Sequence, residues 1–240
     1  MIRRVLDFIY PSLCELCDAE LQNGQSLCAP CLGKLPRIQS PFCRKCGEPF
    51  DGNLEEEFDC PNCHGITHDF DFAIAPLKGE GTAFHLVQAL KYQRRFYLSS
   101  ALASILSETW HTDPRLQDLR RDDVIVIPVP LHWRRKQWRQ GNQAYELARE
   151  FCTQTKLPLQ QALRRIRATS TQTKLNRKER LTNLRGAFRI RKSALAGLQG
   201  STIILVDDVF TTGATAHECT KVLLKDGGAR KVIILTLVRG

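Results

Sequence analysis

The sequence contains no long hydrophobic run. None of its apolar stretches approaches the roughly 20 residues that a membrane-spanning helix needs. The stretch from Val5 to Tyr10 is too short for the core of a secretory signal peptide, and it carries an acidic residue, Asp7. These absences argue against a membrane-spanning or exported protein, and we expect a cytoplasmic one.

Cysteine is nearly missing from most of the chain. Of the ten cysteines, eight lie before His64 and only Cys152 and Cys219 follow. The two late cysteines fall on apolar faces of predicted helices, which indicates buried thiols. A disulfide framework among the early eight would need an oxidising compartment, and the missing signal peptide argues against one.

The eight early cysteines form Cys-x-x-Cys pairs. Two successive pairs complete one tetrahedral zinc site, so four pairs predict two zinc ions. The short gaps favour two consecutive zinc ribbons over a cross-braced pairing, which the sequence leaves open. Because thiolates fill every protein position, both ions would be structural. The predicted ligands are Cys14, Cys17, Cys28 and Cys31 for one ion, and Cys43, Cys46, Cys60 and Cys63 for the other.

Basic residues are scarce in the first part of the chain and abundant in the rest. Residues 1–69 contain 6 basic and 11 acidic residues, although the whole chain has a formal net charge of +10. The basic second part indicates a polyanionic ligand such as a pyrophosphate, a nucleotide or nucleic acid. We therefore predict two domains, a double zinc-ribbon domain over 1–69 and a second domain over 70–240.

Four segments of the second part read as strands: Phe72–Pro76, Val124–Pro130, Ile203–Val206 and Val232–Val238. Their apolar, mostly β-branched runs are typical of strands that are buried on both faces. Helical patterns lie between them. The alternation predicts an α/β fold in which a parallel sheet has helices on both sides.

The most informative stretch follows the third of these strands. The strand is predicted to end in Asp207 and Asp208, and the loop after it is built from small and hydroxylated residues: Thr211, Thr212, Gly213, Ala214 and Thr215. Backbone N–H groups of such a loop, and of the helix after it, can bind a phosphate. The two carboxylates are placed to bind vicinal hydroxyls or hydrated Mg²⁺. Together they predict a sugar-phosphate site, whereas an ordinary helix cap would explain only one aspartate.

This stretch resembles the 5-phosphoribosyl-1-pyrophosphate (PRPP) motif of type I phosphoribosyltransferases. The resemblance implies that Asp207 and Asp208 contact the ribose hydroxyls and metal, and that residues Thr211 to Thr215 enclose the 5′-phosphate. We expect PRPP as ligand and Mg²⁺ as its companion ion. The predicted catalytic residues are Asp207 and Asp208, whose carboxylates would favour a cationic ribosyl centre. No residue stands out as a general base.

A second stretch narrows the resemblance to one family. Residues Pro128 to His132 are followed by arginines and then by Arg139-Gln140-Gly141-Asn142-Gln143 before a helix. With the cysteine pairs, this order is similar to the ComF/GntX family, whose members join a zinc region to a phosphoribosyltransferase domain. The chain departs from that pattern at Gln140-Gly141, where the family usually has Gly-Phe.

Basic residues that could hold the pyrophosphate group of PRPP occur in three places. Lys91 and Arg94 lie where a predicted helix ends, so they either complement the helix dipole or bind the diphosphate. Arg139 belongs to the family motif. From Arg164 to Lys192 there are 11 basic residues and one acid, Glu179. This segment is either a solvated basic face or, through its loop at 169–175, a cover that closes over the diphosphate.

The resemblance implies pentosyl transfer from PRPP to an acceptor that the sequence does not identify, in a protein linked to DNA uptake and natural transformation. The alternative is a non-catalytic module of the same fold that binds single-stranded DNA through its basic surface. Trp133 and Trp138 would either stack on bases or pack in the core or at the domain interface. Other competence proteins are further candidate partners. The choice between a monomer and a homo-oligomer stays open.

Overall fold

The computed structural model describes residues 12–21, 25–50, 60–65, 67–132, 141–167 and 184–240. The cysteine-rich part contains β1 (Ser12–Leu13), β2 (Glu20–Leu21) and α1 (Ala29–Gly33). The remaining elements are β3 (Ala73–Ile74), β4 (Leu77–Lys78), α2 (Gly81–Tyr92), α3 (Ser99–Thr112), α4 (Pro114–Gln117), β5 (Val124–Pro128), α5 (Gln143–Thr155), β6 (Leu163–Arg165), β7 (Phe188–Ile190), α6 (Leu195–Leu198), β8 (Thr202–Phe210), α7 (Ala214–Lys225) and β9 (Lys231–Arg239).

The predicted parallel sheet is confirmed. Its strand order is β3-β9-β8-β5, with β4 also pairing with β9, and every pairing in it is parallel. β8 and β9 occupy the centre, because their apolar runs can be buried on both faces. The first predicted strand, Phe72–Pro76, is shorter in the structure, where it is β3. The unpredicted β4 follows Pro76, which has no N–H for the ladder.

The end of β8 differs from the prediction. The prediction ends the strand at Asp207 and Asp208, yet the strand continues beyond them to Phe210. It does so because β9 is equally long, so that Asp207 pairs with Thr236 and Phe210 pairs with Arg239. The carboxylates therefore project from a regular strand, which fixes their directions more firmly than a loop would.

Helices cover both faces of the sheet, as the alternating pattern predicted. On one face, Ile204 and Val206 pack in a buried cluster with residues of α2, α3 and α5. On the other face, Ile203 and Leu205 pack with residues of α6 and α7. Successive residues of β8 thus serve different cores, because side chains alternate along a strand.

The cysteine-rich part covers the β3/β4 edge of the sheet. Ile38 donates its backbone N–H to Pro76 at 2.8 Å, and Lys78 donates to Pro36 at the same distance. Arg37 and Leu77 form an antiparallel bridge between the two segments. An edge that would otherwise present unpaired backbone groups is thereby protected. The division at residue 69 stays a prediction, as the two parts share these hydrogen bonds.

The two late cysteines are buried, as expected. Cys152 is 8% exposed on α5 and Cys219 is fully buried on α7. Burial disfavours the thiolate and raises the pKa of Cys152 to about 12. None of the helices that the structure describes is long and apolar enough to cross a membrane.

Candidate functional site

The eight early cysteines form two clusters in the predicted order. The sulfur atoms of Cys14, Cys17, Cys28 and Cys31 lie within 4.8 Å of one another, and so do those of Cys43, Cys46, Cys60 and Cys63. The consecutive pairing is therefore confirmed, and the cross-braced pairing does not occur. All ten cysteines are free, which rules out the disulfide framework.

The sulfur geometry fits zinc. Four Zn–S bonds of about 2.3 Å in a tetrahedron place neighbouring sulfur atoms about 3.8 Å apart. The Sγ–Sγ distances are 3.7 Å for Cys17–Cys28 and 3.9 Å for Cys43–Cys63. Both clusters are suited to structural zinc.

A cleft of about 280 Å³ opens at the carboxyl edge of the sheet. The ends of β5 and β8, the last turn of α2 and the first turn of α7 meet there, which is where ligands bind in open parallel sheets. Polar groups from separate parts of the chain line it together with apolar ones. The polar lining consists of Lys91, Tyr92, Gln143, Arg165, Asp207, Asp208, Thr211, Thr212, Thr215 and Thr236.

The two aspartates differ in their surroundings. The Asp208 side chain is 5% exposed, and its Oδ1 lies 3.0 Å from the Lys91 ammonium nitrogen. Its Oδ2 is buried and has no hydrogen-bond partner among the described residues. Asp207 Oδ1 accepts a hydrogen bond of 2.9 Å from the backbone N–H of Asp208. A buried carboxylate oxygen without a partner is suited to a sugar hydroxyl or to Mg²⁺.

The loop after β8 depends on Gly213. This residue caps α7 with φ of +74°, and a Cβ there would lie only 2.8 Å from Cζ of Phe210. A side chain at this position would therefore be both strained and obstructed. The glycine brings the backbone of residues 211–213 against the start of α7, whose first N–H groups have no partner within the helix. The result is a small pocket for an anion.

Comparison with known proteins agrees with this architecture. Residues 5–64 match the double zinc ribbon domain, and residues 142–240 match the phosphoribosyl transferase domain. The DNA utilization protein YhgH of Escherichia coli strain K12 is 32% identical over 223 residues, which cover 91% of this chain and 93% of that protein.

Two further relatives carry names from competence. Competence protein F of Haemophilus influenzae is 31% identical over 217 residues, which cover 89% of this chain and 91% of that protein. Competence protein ComFC of Bacillus subtilis is 25% identical over 96% of both proteins. The chain belongs to the ComF family.

Most of the residues predicted for the site lie together in this ComF-family cleft. Lys91, Asp207, Asp208 and the loop from Thr211 to Thr215 all line it. Arg94 does not, because it is exposed in the turn after α2 with φ of +59°. Arg139, both tryptophans at 133 and 138, and the loop at 169–175 lie outside the described residues.

Four polar residues of the cleft were not predicted: Tyr92, Gln143, Arg165 and Thr236. Gln143, at the start of α5, is 4% exposed and belongs to the family motif, so the motif was a signal that could have revealed it. Arg165 enters from β6, and its guanidinium carbon lies 5.5 Å from the ring centre of Phe188. In the sequence, Arg165 is one of eleven basic residues between Arg164 and Lys192. Only the pairing of β6 with β7 shows that it lies at the cleft.

A group of ionisable residues lies near Gly213 of the loop. His217 on α7 lies 3.7 Å from Asp69, measured from Nδ1 to Oδ2, and its ring is in edge contact with that of His68. Burial and the nearby Lys221 lower the pKa of His217 below its usual value. Both effects favour the neutral imidazole.

Proposed function

We propose that this protein binds PRPP with Mg²⁺ and transfers its phosphoribosyl group to an acceptor. The observation that carries the proposal is the meeting of four features in one cleft: Asp207, the buried Asp208, the loop turned by Gly213 and the Lys91 ammonium. Paired carboxylates beside an anion pocket suit a ribose phosphate, and a cation beside them suits a diphosphate.

Each part of PRPP has a place in this proposal. The ribose hydroxyls would contact Asp207 and Asp208, and the 5′-phosphate would accept hydrogen bonds from the backbone at 211–215. Lys91 would bridge Asp208 and the pyrophosphate, because its ammonium already lies 3.0 Å from that carboxylate. Arg139 would add positive charge there, and Arg94 would approach only from the surface. Mg²⁺ held by the aspartates would neutralise charge on the departing pyrophosphate.

The reaction would break the bond between ribose C1 and the pyrophosphate oxygen, whose electron pair leaves with pyrophosphate. A bond from the acceptor to C1 would form on the opposite face, with inversion, and the acceptor would lose its proton to solvent. Positive charge developing on the ribosyl group would be stabilised by Asp207 and Asp208. The chain's cations would stabilise the leaving group.

Calorimetric titration of the zinc-loaded protein with PRPP and Mg²⁺ tests the proposal. We expect saturable heat from the parent and none from the Asp207→Asn/Asp208→Asn variant. Asp226→Asn is the matched control, since Asp226 is exposed at the opposite end of α7. A folded parent that releases no heat would rule out PRPP as the ligand. If the parent binds PRPP, an acceptor screen that measures release of pyrophosphate separates turnover from binding alone.

A second function, binding of single-stranded DNA, is favoured by the two-stranded sheet of β6 and β7. Arg164 and Arg189 are exposed and lie directly opposite each other in its register, an arrangement that costs stability unless an anion is bound. The described segments 161–167 and 184–200 contain no acidic residue. Relatives named for DNA utilization and competence support a role with DNA.

Fluorescence anisotropy with a labelled oligonucleotide tests this second function. If both arginines contact phosphates, Arg164→Gln/Arg189→Gln should weaken binding and reduce the slope of log affinity against log salt by about 1.4. Arg149→Gln is the control, because Arg149 is already paired with Glu146 and Glu150 on α5. An unchanged slope would exclude this surface.

A further inference from the structure

The second zinc site shares a buried cluster with the loop from Thr211 to Thr215, which we call the phosphate loop after its proposed ligand. Cys43 and Cys46 pack in this cluster together with Ala214 of the loop and with Phe210, which precedes it. Glu48 follows Cys46 by two residues, and its backbone carbonyl accepts a hydrogen bond of 2.8 Å from Cys43. This hydrogen bond closes the turn around the metal ligands, so the position of Glu48 is set by the zinc site.

Arg239 connects this turn to the end of β8. It is the last residue of β9, its side chain is 4% exposed, and one of its terminal nitrogens forms an ion pair with the carboxylate of Glu48. The other terminal nitrogen donates to the carbonyl oxygen of Phe210 at 3.1 Å. Phe210 immediately precedes the loop. One buried guanidinium thus joins the zinc turn to the residue from which the loop begins.

The ring of Phe210 extends this connection to Gly213. The guanidinium carbon of Arg239 lies 5.1 Å from the ring centre, and Phe70 contacts the same ring edge-on at 5.8 Å. The far end of the ring lies beneath Gly213, so close that a Cβ there would be 2.8 Å away. A shift of this ring would therefore displace the backbone that forms the anion pocket.

The zinc turn itself is held against the sheet. Lys45 accepts a backbone hydrogen bond of 2.8 Å from Ala73, and its ammonium donates to the carbonyls of Phe70 and Asp71. Gly47 has φ of +70°, and a Cβ there would lie 3.1 Å from the Ala73 carbonyl oxygen. Glu48 is consequently fixed relative to β3 and β9 as well as to the zinc ligands.

We propose that Glu48 and Arg239 are positioning residues that couple the second zinc site to the phosphate loop. The Glu48 side chain is 29% exposed, whereas that of Arg239 is buried. Removing the carboxylate therefore leaves a buried guanidinium without its partner, and that charge then turns toward water. Arg239 would release the Phe210 carbonyl when it does so. The assignment of the loop to a phosphate rests on the proposed function, whereas the coupling itself does not.

The binding test uses Glu48→Gln, which removes the charge and keeps the shape. We expect the Kd values of PRPP and ribose 5-phosphate to rise about tenfold. The Kd of inorganic pyrophosphate should not change, because its site lies at Lys91. Arg37→Gln is the matched control, since Arg37 also links the cysteine-rich part to the second domain, through Glu108 at 2.8 Å. Equal weakening of all three ligands, or no weakening, would overturn the proposal.

Hydrogen exchange tests the coupling without any ligand. With two zinc ions per chain verified by mass spectrometry, amides in peptides covering 207–217 should exchange several-fold faster in Glu48→Gln than in the parent or Arg37→Gln. Arg239→Lys keeps the positive charge but lacks the second donor to Phe210, so it should show the same change. Unchanged exchange overturns the coupling. Faster exchange in the two variants, combined with a parent that binds no PRPP, supports the coupling and rejects the proposed function.

Discussion

The two four-cysteine sites have the same ligands but opposite places in the molecule. Cys14 of the first site packs into the core on the α2 and α3 face of the sheet, whereas all four cysteines of the second pack into the core on the α7 face. The first site has an exposed ligand, Cys17, and the second has four buried ones.

The two zinc sites also differ in the ion pair that links each of them to the second domain. Beside the first site, the buried carboxylate of Glu15 pairs with Arg95 and accepts from the Tyr97 hydroxyl, just beyond the end of α2 that carries Lys91. Beside the second site, Glu48 pairs with Arg239, which holds the start of the phosphate loop. The difference shows that identical motifs acquire separate roles from the surfaces on which they pack.

The largest effect should come from removing a buried zinc ligand of the second site, and an exposed ligand of the first site is the comparison. Cys46→Ser should release one zinc ion and cost about 4 kcal/mol or more, which lowers Tm by about 10 °C for a chain of this size. Cys17→Ser should lower Tm by about 3 °C or less, since water can complete the shell at an exposed position. Calorimetry with zinc quantification measures both. Equal losses would erase the contrast between the sites.

Lys91 tests the cleft on the side of the first site. Lys91→Met leaves the buried Asp208 carboxylate without its cation and should cost about 3 kcal/mol of unfolding free energy in urea denaturation. Lys91→Met/Asp208→Asn should regain most of this loss, because no buried charge remains. Arg94→Met, at an exposed position two residues beyond α2, serves as the control and should change stability by less than about 0.5 kcal/mol. A double variant as unstable as the single one would contradict the ion-pair account.

Glu15→Gln compares the two attachments directly. Loss of the ion pair with the half-exposed Arg95 should cost about 1–2 kcal/mol of unfolding free energy. The PRPP affinity should stay within about twofold of the parent, because Glu15 does not hold the phosphate loop. Urea denaturation and calorimetry measure the two quantities. If Glu15→Gln weakens PRPP as much as Glu48→Gln does, the division of roles between the sites is wrong.

The smallest effect is a pH dependence on the side of the second site. The pKa of His217 in the folded protein is lowered below 6.5 by burial and by Lys221, with Asp69 and Glu218 opposing and His68 adjacent. As the pH falls through 6.5, the unfolded chain therefore binds the proton first, and His217 reduces stability. His217→Gln should gain stability relative to the parent between pH 7 and pH 5 in urea denaturation. A difference that is constant with pH would contradict the lowered pKa.

Local sequence patterns predicted much of the site. The Cys-x-x-Cys spacing was enough to group the cysteine ligands. The two aspartates of β8 and the small residues that follow the strand were enough to locate the cleft. The length of β8 was not predictable, because pairing with β9 decides it. Arg165 and Gln143 were missed as cleft residues, since each lies far along the chain from Asp208 and only the folded chain places them in the same cleft.

The sequence by itself determined the zinc ligands, the parallel α/β architecture and the carboxylate pair followed by a phosphate-sized loop, because each is encoded by residues close together in the chain. Only the tertiary structure decided which core receives each zinc site and how Arg239 joins Glu48 to Phe210. Those contacts connect residues from both ends of the chain, so no local pattern specifies them. They follow from the burial of both faces of one sheet and from the need to pair every charge buried there.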